Sequence, residues 1–433
     1  MINVEALKDA IHTRIDAYNQ TDYPLSQRRR MVSPLAECSN HILAEDISSP
    51  FDVPRQNVSA MDGFAIAKGS CLMAGSTIEI IGESQAGNAF IGSLSPNQGV
   101  RIFTGAVIPD DCDTIEMQEN TNHAEIKATL DKSQPYDIVL SQDAQPDNHI
   151  RRQGEEISQD EVLLTACKRL NPADISLLAN LGLAEVNVYA PLKVGIVATG
   201  DELVSVGEAL TSLAQIYNSN TPTLKSLLDY AKLPISLQDY GIIPDNLEQT
   251  QQAIAQAMTE CDVLISTAGV SVGDYDFLTT VIEQLGQINH YKVAMKPGKP
   301  FVFGELTHNL AKPVLYFGLP GNPLSTVVGS LQFVIPALWQ LTGCDPQEIP
   351  RPLTVQAKLT TEAQKSPGRA DYQRGQLSQD DSGGYQVAIA DSQQSHRIKQ
   401  LSQANCLVVL EKDSESLPAG SMVEVQPFFW SMR

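Results

Sequence analysis

The stretch Val263–Phe277, VLISTAGVSVGDYDF, decides the fold. It opens on Val263, Leu264 and Ile265, an apolar run of the kind found in strands buried on both faces. Small residues follow (Ser266, Thr267, Ala268, Gly269, Ser271 and Gly273), which leave backbone N–H groups open to close approach by an anion. The carboxylates Asp274 and Asp276 come next, and Phe277 to Leu285 reads as a helix. Strand, small-residue loop, acid pair and helix place the acids at the carboxyl end of a strand, where open α/β sheets bind ligands. A glycine-rich loop alone is often a plain turn. The acid pair makes this one a candidate site.

Strands alternate with helices on both sides of this stretch. Val194–Thr199 is an apolar strand ending in TGDEL, so that Gly200, Asp201 and Glu202 lie at its carboxyl end. A helix over 222–231, a strand over 235–243 ending near Asp245, and a helix over 247–258 follow. Downstream come a strand over 291–295, the KPGKP loop (Lys296–Pro300), and strands over 301–303 and 314–317. LPGNP (Leu319–Pro323) then leads into a long apolar helix through Leu341, with Pro336 as its kink. This pattern predicts a doubly wound, mostly parallel sheet with helices on both faces.

The flanks have other textures. Val4, Leu7, Ile11, Ile15 and Tyr18 recur at helical spacing over residues 3–18, and 34–43 reads as a second helix. Between 54 and 142, short β-rich runs (78–81, 100–103, 114–117 and 138–140) are separated by turn residues. Two motifs lie here, SAMDGFAI with Asp62 and RIFTGAVIP with Thr104; the plainer reading of each is a turn. NHIRRQGEEI, residues 148–157, sets Arg151, Arg152, Glu155 and Glu156 around Gly154, as salt-bridged surface loops do. Residues 173–181 read as a helix, and β-rich runs return after Pro350, at 353–359, 385–389, 407–410 and 422–425. The expected architecture is therefore an α/β multidomain chain. Its central α/β domain spans 189–345. A small β domain (56–141) is inserted into an elongated N-terminal α+β domain (1–55 with 142–188), and a β-barrel-like domain (346–433) closes the chain.

Composition narrows the function. The net charge is −21, from 51 acids against 30 bases, and such a surface repels nucleic acid. No unbroken apolar run reaches the ~18 residues that suggest a membrane span, and the N-terminal stretch lacks the apolar core of a signal peptide, so a cytoplasmic protein is expected. Seven cysteines and seven histidines are scattered without CxxC or HxxxH spacing, against a disulfide framework and a zinc site. An anionic ligand must be held by a local cluster of cations.

The strand-end loops supply both signs: Asp201 with Glu202, Asp245, Asp274 with Asp276, and Lys296 with Lys299. Carboxylates without Cys or His partners suit a hard cation such as Mg²⁺ bridging protein oxygens and phosphates. Lysines and glycine-rich backbone suit the anionic remainder. The chemistry indicated is metal-assisted work on a phosphorylated small molecule. KPGKP is either a rigid turn with solvated lysines or a preorganised anion site. LPGNP has the same two readings, with Gly321 allowing close approach and the helix N-terminus facing the anion. No Ser/His/Asp or Cys/His arrangement for acyl transfer is visible.

In chain order, SAMDGF, RIFTGA, the RRxGE stretch, TGDEL, AGVSVGDYDF, KPGKPF, GLPGNP and PGRADYQRG closely resemble the molybdopterin molybdenumtransferases of molybdenum cofactor synthesis, a family that includes the corresponding part of gephyrin. The resemblance covers essentially the whole chain. It implies four domains, a homodimer with a cleft shared between subunits, and conversion of adenylylated molybdopterin and molybdate into molybdenum cofactor and AMP with Mg²⁺ or a similar ion. It implies metal and pyrophosphate handling by Asp274, Asp276 and Glu202 with Asp245 nearby. Charge neutralisation falls to Lys292, Lys296 and Lys299, and further anion contacts to Ser325, Arg369 and Ser395. Asp62 and Thr104 would reach the cleft of the other subunit. Thr199, Gly200, Gly269, Ser271, Gly273, Pro320, Gly321, Pro323, Arg152 and Glu156 complete the implied substrate-binding set. A molybdopterin adenylyltransferase and molybdoenzyme-maturation proteins are the implied partners.

Two departures stand out. Glu156 occupies a place where the family often has Asp. Ala268 stands where a Gly–Gly pair is usual, a mild change unless that position needs a positive φ. Two rival readings are a non-catalytic pterin-binding scaffold and a nucleotide-dependent oxidoreductase. The retained acids and KPGKP lysines weigh against the first, and the missing GxGxxG after the first strand against the second.

Overall fold

The computed structural model describes residues 1–131, 133–268, 277–390, 393–395 and 397–431. Gly269, Ser271, Gly273, Asp274 and Asp276 lie outside the described residues. The chain forms two compact units, one of residues 1–45, 166–179 and 183–433, the other of 46–165 with 180–182.

A six-stranded sheet is the centre of the first unit. Its order is Ile235–Ile243, Leu192–Thr199, Val263–Thr267, Val314–Leu319, Pro300–Leu306 and Gly286–Lys292. The first four strands are parallel, and the last two join antiparallel. Every residue of Val263–Thr267 is buried, as its apolar sequence requires. Alternate side chains serve opposite faces. Val263 and Ile265 join a core with Leu224, Leu227 and Val327, whereas Leu264 joins Ile254, Met258, Val281 and Ile282. Each fully buried Leu or Ile contributes about 1.5–3 kcal/mol relative to exposure. Helices Asn220–Tyr230 and Pro323–Gly329 thus cover one face, and Leu247–Glu260 and Phe277–Leu285 the other. The sheet is doubly wound and mostly parallel.

One strand differs from expectation. The strand expected at 291–295 spans Gly286–Lys292 and begins directly after the preceding helix. It is an edge strand with half-exposed, polar residues (GQINHYK), so no apolar run marks it. The helix through Leu341 is interrupted at the expected place: a π-helical turn, Ser330–Val334, precedes Pro336 and accommodates its missing N–H. This helix is long and apolar enough to cross a membrane by composition, but its window is 83% buried within the protein, as befits a core helix.

The N-terminal helix Val4–Ala17 buries Val4, Leu7, Ile11 and Ile15 against the same core as the sheet. Its Arg14 is held by both carboxylate oxygens of Glu305 and by Asp22, 2.6 Å away. The helix expected over 34–43 is absent. Arg30–Pro34 is instead a strand paired with Glu185–Tyr189, followed by one 3₁₀ turn, Leu35–Glu37. Ser39 and Asn40 stop any continuation, since Asn40 takes φ 66°.

The C-terminal region is a closed five-stranded barrel. Ala370–Gln379, Tyr385–Ile389, Val355–Leu359, Met422–Pro427 and Cys406–Leu410 pair in turn, and the last closes on the first. Its longest strand, Ala370–Gln379, escapes an apolar-periodicity reading because it buries Gln373 and Arg374.

The second unit holds a five-stranded sheet in the order Cys112–Met117, Gly63–Ala67, Gln98–Ile102, Thr77–Ser84 and Tyr136–Val139. Phe64 and Ile66 face one apolar cluster, and Ala65 the other. The Asp62–Gly63 step therefore opens a fully buried strand rather than a turn. Gly63 is required there, because a Cβ would lie 1.9 Å from the Glu116 carbonyl oxygen.

Candidate functional site

The carboxyl edge of the six-stranded sheet gathers most of the residues picked out by sequence. Thr199, Thr267 and Leu319 end their parallel strands there. Gly286–Lys292 is antiparallel to Pro300–Leu306, which is antiparallel to Val314–Leu319, so KPGKP leaves the sheet at the same edge. The loop is a hairpin connection: Lys292 pairs with Pro300, and Val293 N–H donates to Lys299 O at 2.7 Å. Within it, Met295 and Lys296 also pair with Ala370 and Asp371 of the barrel, which brings Arg369 alongside. Lys296 Nζ lies 3.5 Å from Asp371 Oδ2, and the side chains are 46% and 5% exposed respectively. Asp371 thus holds the cation from beneath while its head remains accessible, and Gln373 Nε2 donates to the same oxygen at 3.0 Å.

LPGNP is fixed from three sides. Ala268 N–H donates to Leu319 O (2.9 Å), Asn220 Nδ2 to Gly321 O (2.8 Å), and Asn322 Nδ2 to Ser395 Oγ (3.0 Å). Thr326 Oγ1 donates to Pro320 O at 2.8 Å, so the Pro323 helix start is tied back to its own loop. A Cβ at Gly298 of KPGKP would fall 3.9 Å from the carbonyl oxygen of the buried Ser325. The LPGNP loop with Pro320, Gly321 and Pro323 thus adjoins Ser395, and the KPGKP loop, which carries Lys296 and pairs beside Arg369, reaches the backbone of Ser325. Three buried polar atoms there, Thr267 Oγ1, Asn220 Oδ1 and Asn322 Oδ1, have no hydrogen-bond partner among the described residues. Unsatisfied buried polar atoms are uncommon in native proteins, and each calls for a partner such as water, a ligand or a neighbouring group.

Ala268 meets the condition that makes its departure from glycine matter. Its φ is +102°, a region that costs a non-glycine residue on the order of 1–3 kcal/mol. The surroundings enforce it. Besides the Leu319 bond, Ser266 Oγ donates to Ala268 O at 3.2 Å, and Ser266 is itself 2.5 Å from the buried Tyr316 hydroxyl. The Ala268 methyl lies 3.7 Å from the Cβ position of Gly321, so the two loops touch through it.

The acidic side of the edge is built on TGDEL. Gly200 takes φ +140°, and a Cβ there would fall 2.5 Å from Glu202 Oε2. Asp201 Oδ1 accepts from Asp245 N–H at 3.0 Å, joining the ends of two neighbouring strands. Glu202 and Asp245 are exposed. The donors are carboxylate oxygens, the type a hard divalent cation takes. Among the described residues, no three His, Cys, Asp or Glu side chains are grouped closely enough to hold a metal.

Asp62, Thr104, Arg152 and Glu156 belong to the second unit. Thr104 donates to Asp62 Oδ1 twice, from its N–H (2.8 Å) and its Oγ1 (2.9 Å). These bonds, with a smaller contribution from Arg101, hold the Asp62 carboxyl below its ordinary range. Arg101 lies over the rings of Phe64 and Phe103 and donates to Gly63 O at 2.8 Å. Gly105 N–H donates to Ser59 O, and Ser59 pairs with Ile150, so the Asp62, Thr104 and Arg152 loops are neighbours. Arg152 pairs with Asp147, its N–H donates to Glu155, and Glu156 is exposed.

The sequence reading passed over Asn220, Asn322, Asp371 and Arg374. Asn220 had a signal, because Asn218-Ser-Asn-Thr221 immediately precedes Pro222 in the manner of a helix start. Asn322 lay inside LPGNP without an assigned role. Asp371 and Arg374 lie in PGRADYQRG, but only pairing between distant strands shows what they support.

Comparison with known proteins agrees along the chain. Residues 2–182 match the MoeA N-terminal region (domain I and II), 195–340 a probable molybdopterin binding domain, and 356–428 the MoeA C-terminal region (domain IV). A molybdopterin molybdenumtransferase of Haemophilus influenzae is 40% identical over 91% of this chain and 93% of its own. One of Staphylococcus epidermidis is 32% identical over 90% and 89%. The fold matches a molybdopterin biosynthesis moeA protein from Pyrococcus horikoshii with TM-score 0.77 at 24% identity, over 99% of each chain. With this identity and coverage, the chain belongs to the molybdopterin molybdenumtransferase family, enzymes of molybdenum cofactor biosynthesis.

Proposed function

We propose that this enzyme takes adenylylated molybdopterin and molybdate and releases molybdenum cofactor and AMP, the last step of cofactor assembly. The observation that carries this reading is the meeting of KPGKP, LPGNP and Ser395 at the carboxyl edge of the sheet. This supports the reading because loops that carry lysines, glycine backbone and hydroxyls adjoin there in a protein of net charge −21. A site of this kind suits a small oxyanion beside a phosphorylated ligand.

In this reading Lys296 and Lys299, with Lys292 at the hairpin base, neutralise the pyrophosphate and molybdate charges. Ser325, Ser395 and Arg369 supply hydrogen bonds to the oxyanion. Thr199, Gly200, Gly269, Ser271 and Gly273 bind the pterin phosphate, as do Pro320, Gly321 and Pro323. Glu202, Asp274 and Asp276 would hold Mg²⁺, which would neutralise charge developing on the pyrophosphate as the bond to AMP breaks. Asp245, whose N–H holds Asp201, assists them. Asp62, Thr104, Arg152 and Glu156 would complete the cleft from a second subunit of a homodimer. A molybdopterin adenylyltransferase would supply the substrate, and molybdoenzyme-maturation proteins would receive the product in the cytoplasm.

Single-turnover AMP release with Mg²⁺, with and without molybdate, tests the reaction. Molybdate-dependent release, with product that activates an apo-molybdoenzyme, is expected. Tight binding of the intermediate without AMP release would favour a carrier. Asp274→Asn is expected to abolish release while leaving the fold intact, and retained turnover would remove that residue from the mechanism.

A further inference from the structure

Among the described cations of the barrel, Arg374 is the one whose side chain is completely buried. Burying a guanidinium is costly unless its donors are used. Arg374 uses them on the segment that follows strand Tyr385–Ile389. Nη1 donates to Arg397 O at 2.8 Å, Nη2 to Gln394 O at 3.1 Å, and Nε to Gln393 Oε1 at 3.4 Å. Its backbone joins in: Arg374 N–H donates to Gln393 Oε1 at 2.9 Å, and Gln393 Nε2 returns a bond to Arg374 O at 3.1 Å. The fixed carbonyls of Gln394 and Arg397 bracket Ser395, and Ser395 Oγ receives the Asn322 bond at the start of the LPGNP helix.

We propose that Arg374 is a positioning residue for the oxyanion site, holding Ser395 against Asn322. A planar guanidinium with fixed donor directions can fasten two carbonyls and an amide at once, which a lysine ammonium cannot do with the same geometry. The strand Ala370–Gln379 then supports the site twice. Asp371 sits beneath Lys296, and Arg374 sits beneath Ser395. This inference rests on Ser395 being an oxyanion contact, as in the proposed reaction.

Steady-state kinetics in molybdate on the full chain test it, with Arg374→Gln, Ser395→Ala and the double variant. Each single change is expected to raise the molybdate KM roughly tenfold, the scale of one lost hydrogen bond to a charged group. In each the rise in KM should exceed any change in kcat, and the double variant should be no worse than either single. Arg374→Lys should recover little. Arg374→Gln with an unchanged KM overturns the inference, and so does additivity of the two changes. A raised KM in Arg374→Gln with an unaffected Ser395→Ala overturns it as well, and shows in addition that Ser395 is no contact. If Arg374→Gln fails to fold, Gln393→Ala replaces it, with a smaller KM rise expected and an unchanged KM contradicting the idea. Wild-type turnover independent of molybdate would fail the reaction assignment instead. Equilibrium molybdate binding to the same variants would then decide Arg374 by the same pattern in Kd.

Discussion

Ala268 shows how one methyl group carries consequences at this edge. Its positive φ is strained for alanine, and the bonds from Ser266 and to Leu319 hold it in place. Ala268→Gly is expected to raise stability by about 1 kcal/mol through relief of that strain, while Ala268→Val lowers it, read as opposite shifts in thermal midpoint. Cysteines divide just as sharply. Cys71 is exposed, and the Ser76 hydroxyl and the Met73 amide lower its pKa, whereas burial pushes Cys112, Cys344 and Cys406 up to about 12. A thiol reagent at neutral pH is therefore expected to modify Cys71 far faster than these three, which peptide mapping would verify. The sequence held the Ala268 anomaly in plain view, but only the backbone conformation shows that the position needs the left-handed region.

At the scale of elements, strands with apolar runs were legible and strands with polar interiors were not. Val263–Thr267 and Val314–Leu319 stand where their apolar residues put them. Gly63–Ala67 hid behind an Asp-Gly step, which by itself also favours turns. It is a strand because two neighbours pair with it, information that lies far away in the chain. Gly63→Ala would drive a methyl group onto the Glu116 carbonyl, and the obstructing atoms are backbone of the paired strand, which cannot yield as a flexible side chain would. A loss of more than ~3 kcal/mol is expected, comparable to severe overpacking, with earlier protease cleavage inside 46–165 than in wild type. Ala370–Gln379 was missed for a related reason, since Asp371, Gln373 and Arg374 are buried through hydrogen bonds rather than apolar contact. The candidate site was legible as motifs, yet the partners that hold those motifs, Asn220 and Asp371 among them, emerge only from tertiary pairing.

Across the whole molecule, buried thiols set an alkaline limit. The folded pKa of Cys344 and Cys406 lies above the unfolded value, so their protonated forms stabilise the fold fully below about pH 9, and that stability is lost as pH rises toward 12. The thermal midpoint is expected to fall from pH 8.5 to 10.5, and to fall less in a Cys344→Ala, Cys406→Ala variant. A second consequence concerns charge. With 51 acids against 30 bases, the surface as a whole repels anions, so the proposed oxyanion contact depends on local lysines such as Lys296. The most direct measurement is therefore single-turnover AMP release from adenylylated molybdopterin, with and without molybdate, for wild type and Lys296→Met. Molybdate-dependent release in wild type, reduced on the order of a hundredfold in the variant as for loss of one preorganised charge contact, is the expected result. Equal release by both proteins would place the chemistry somewhere other than the carboxyl edge of this sheet.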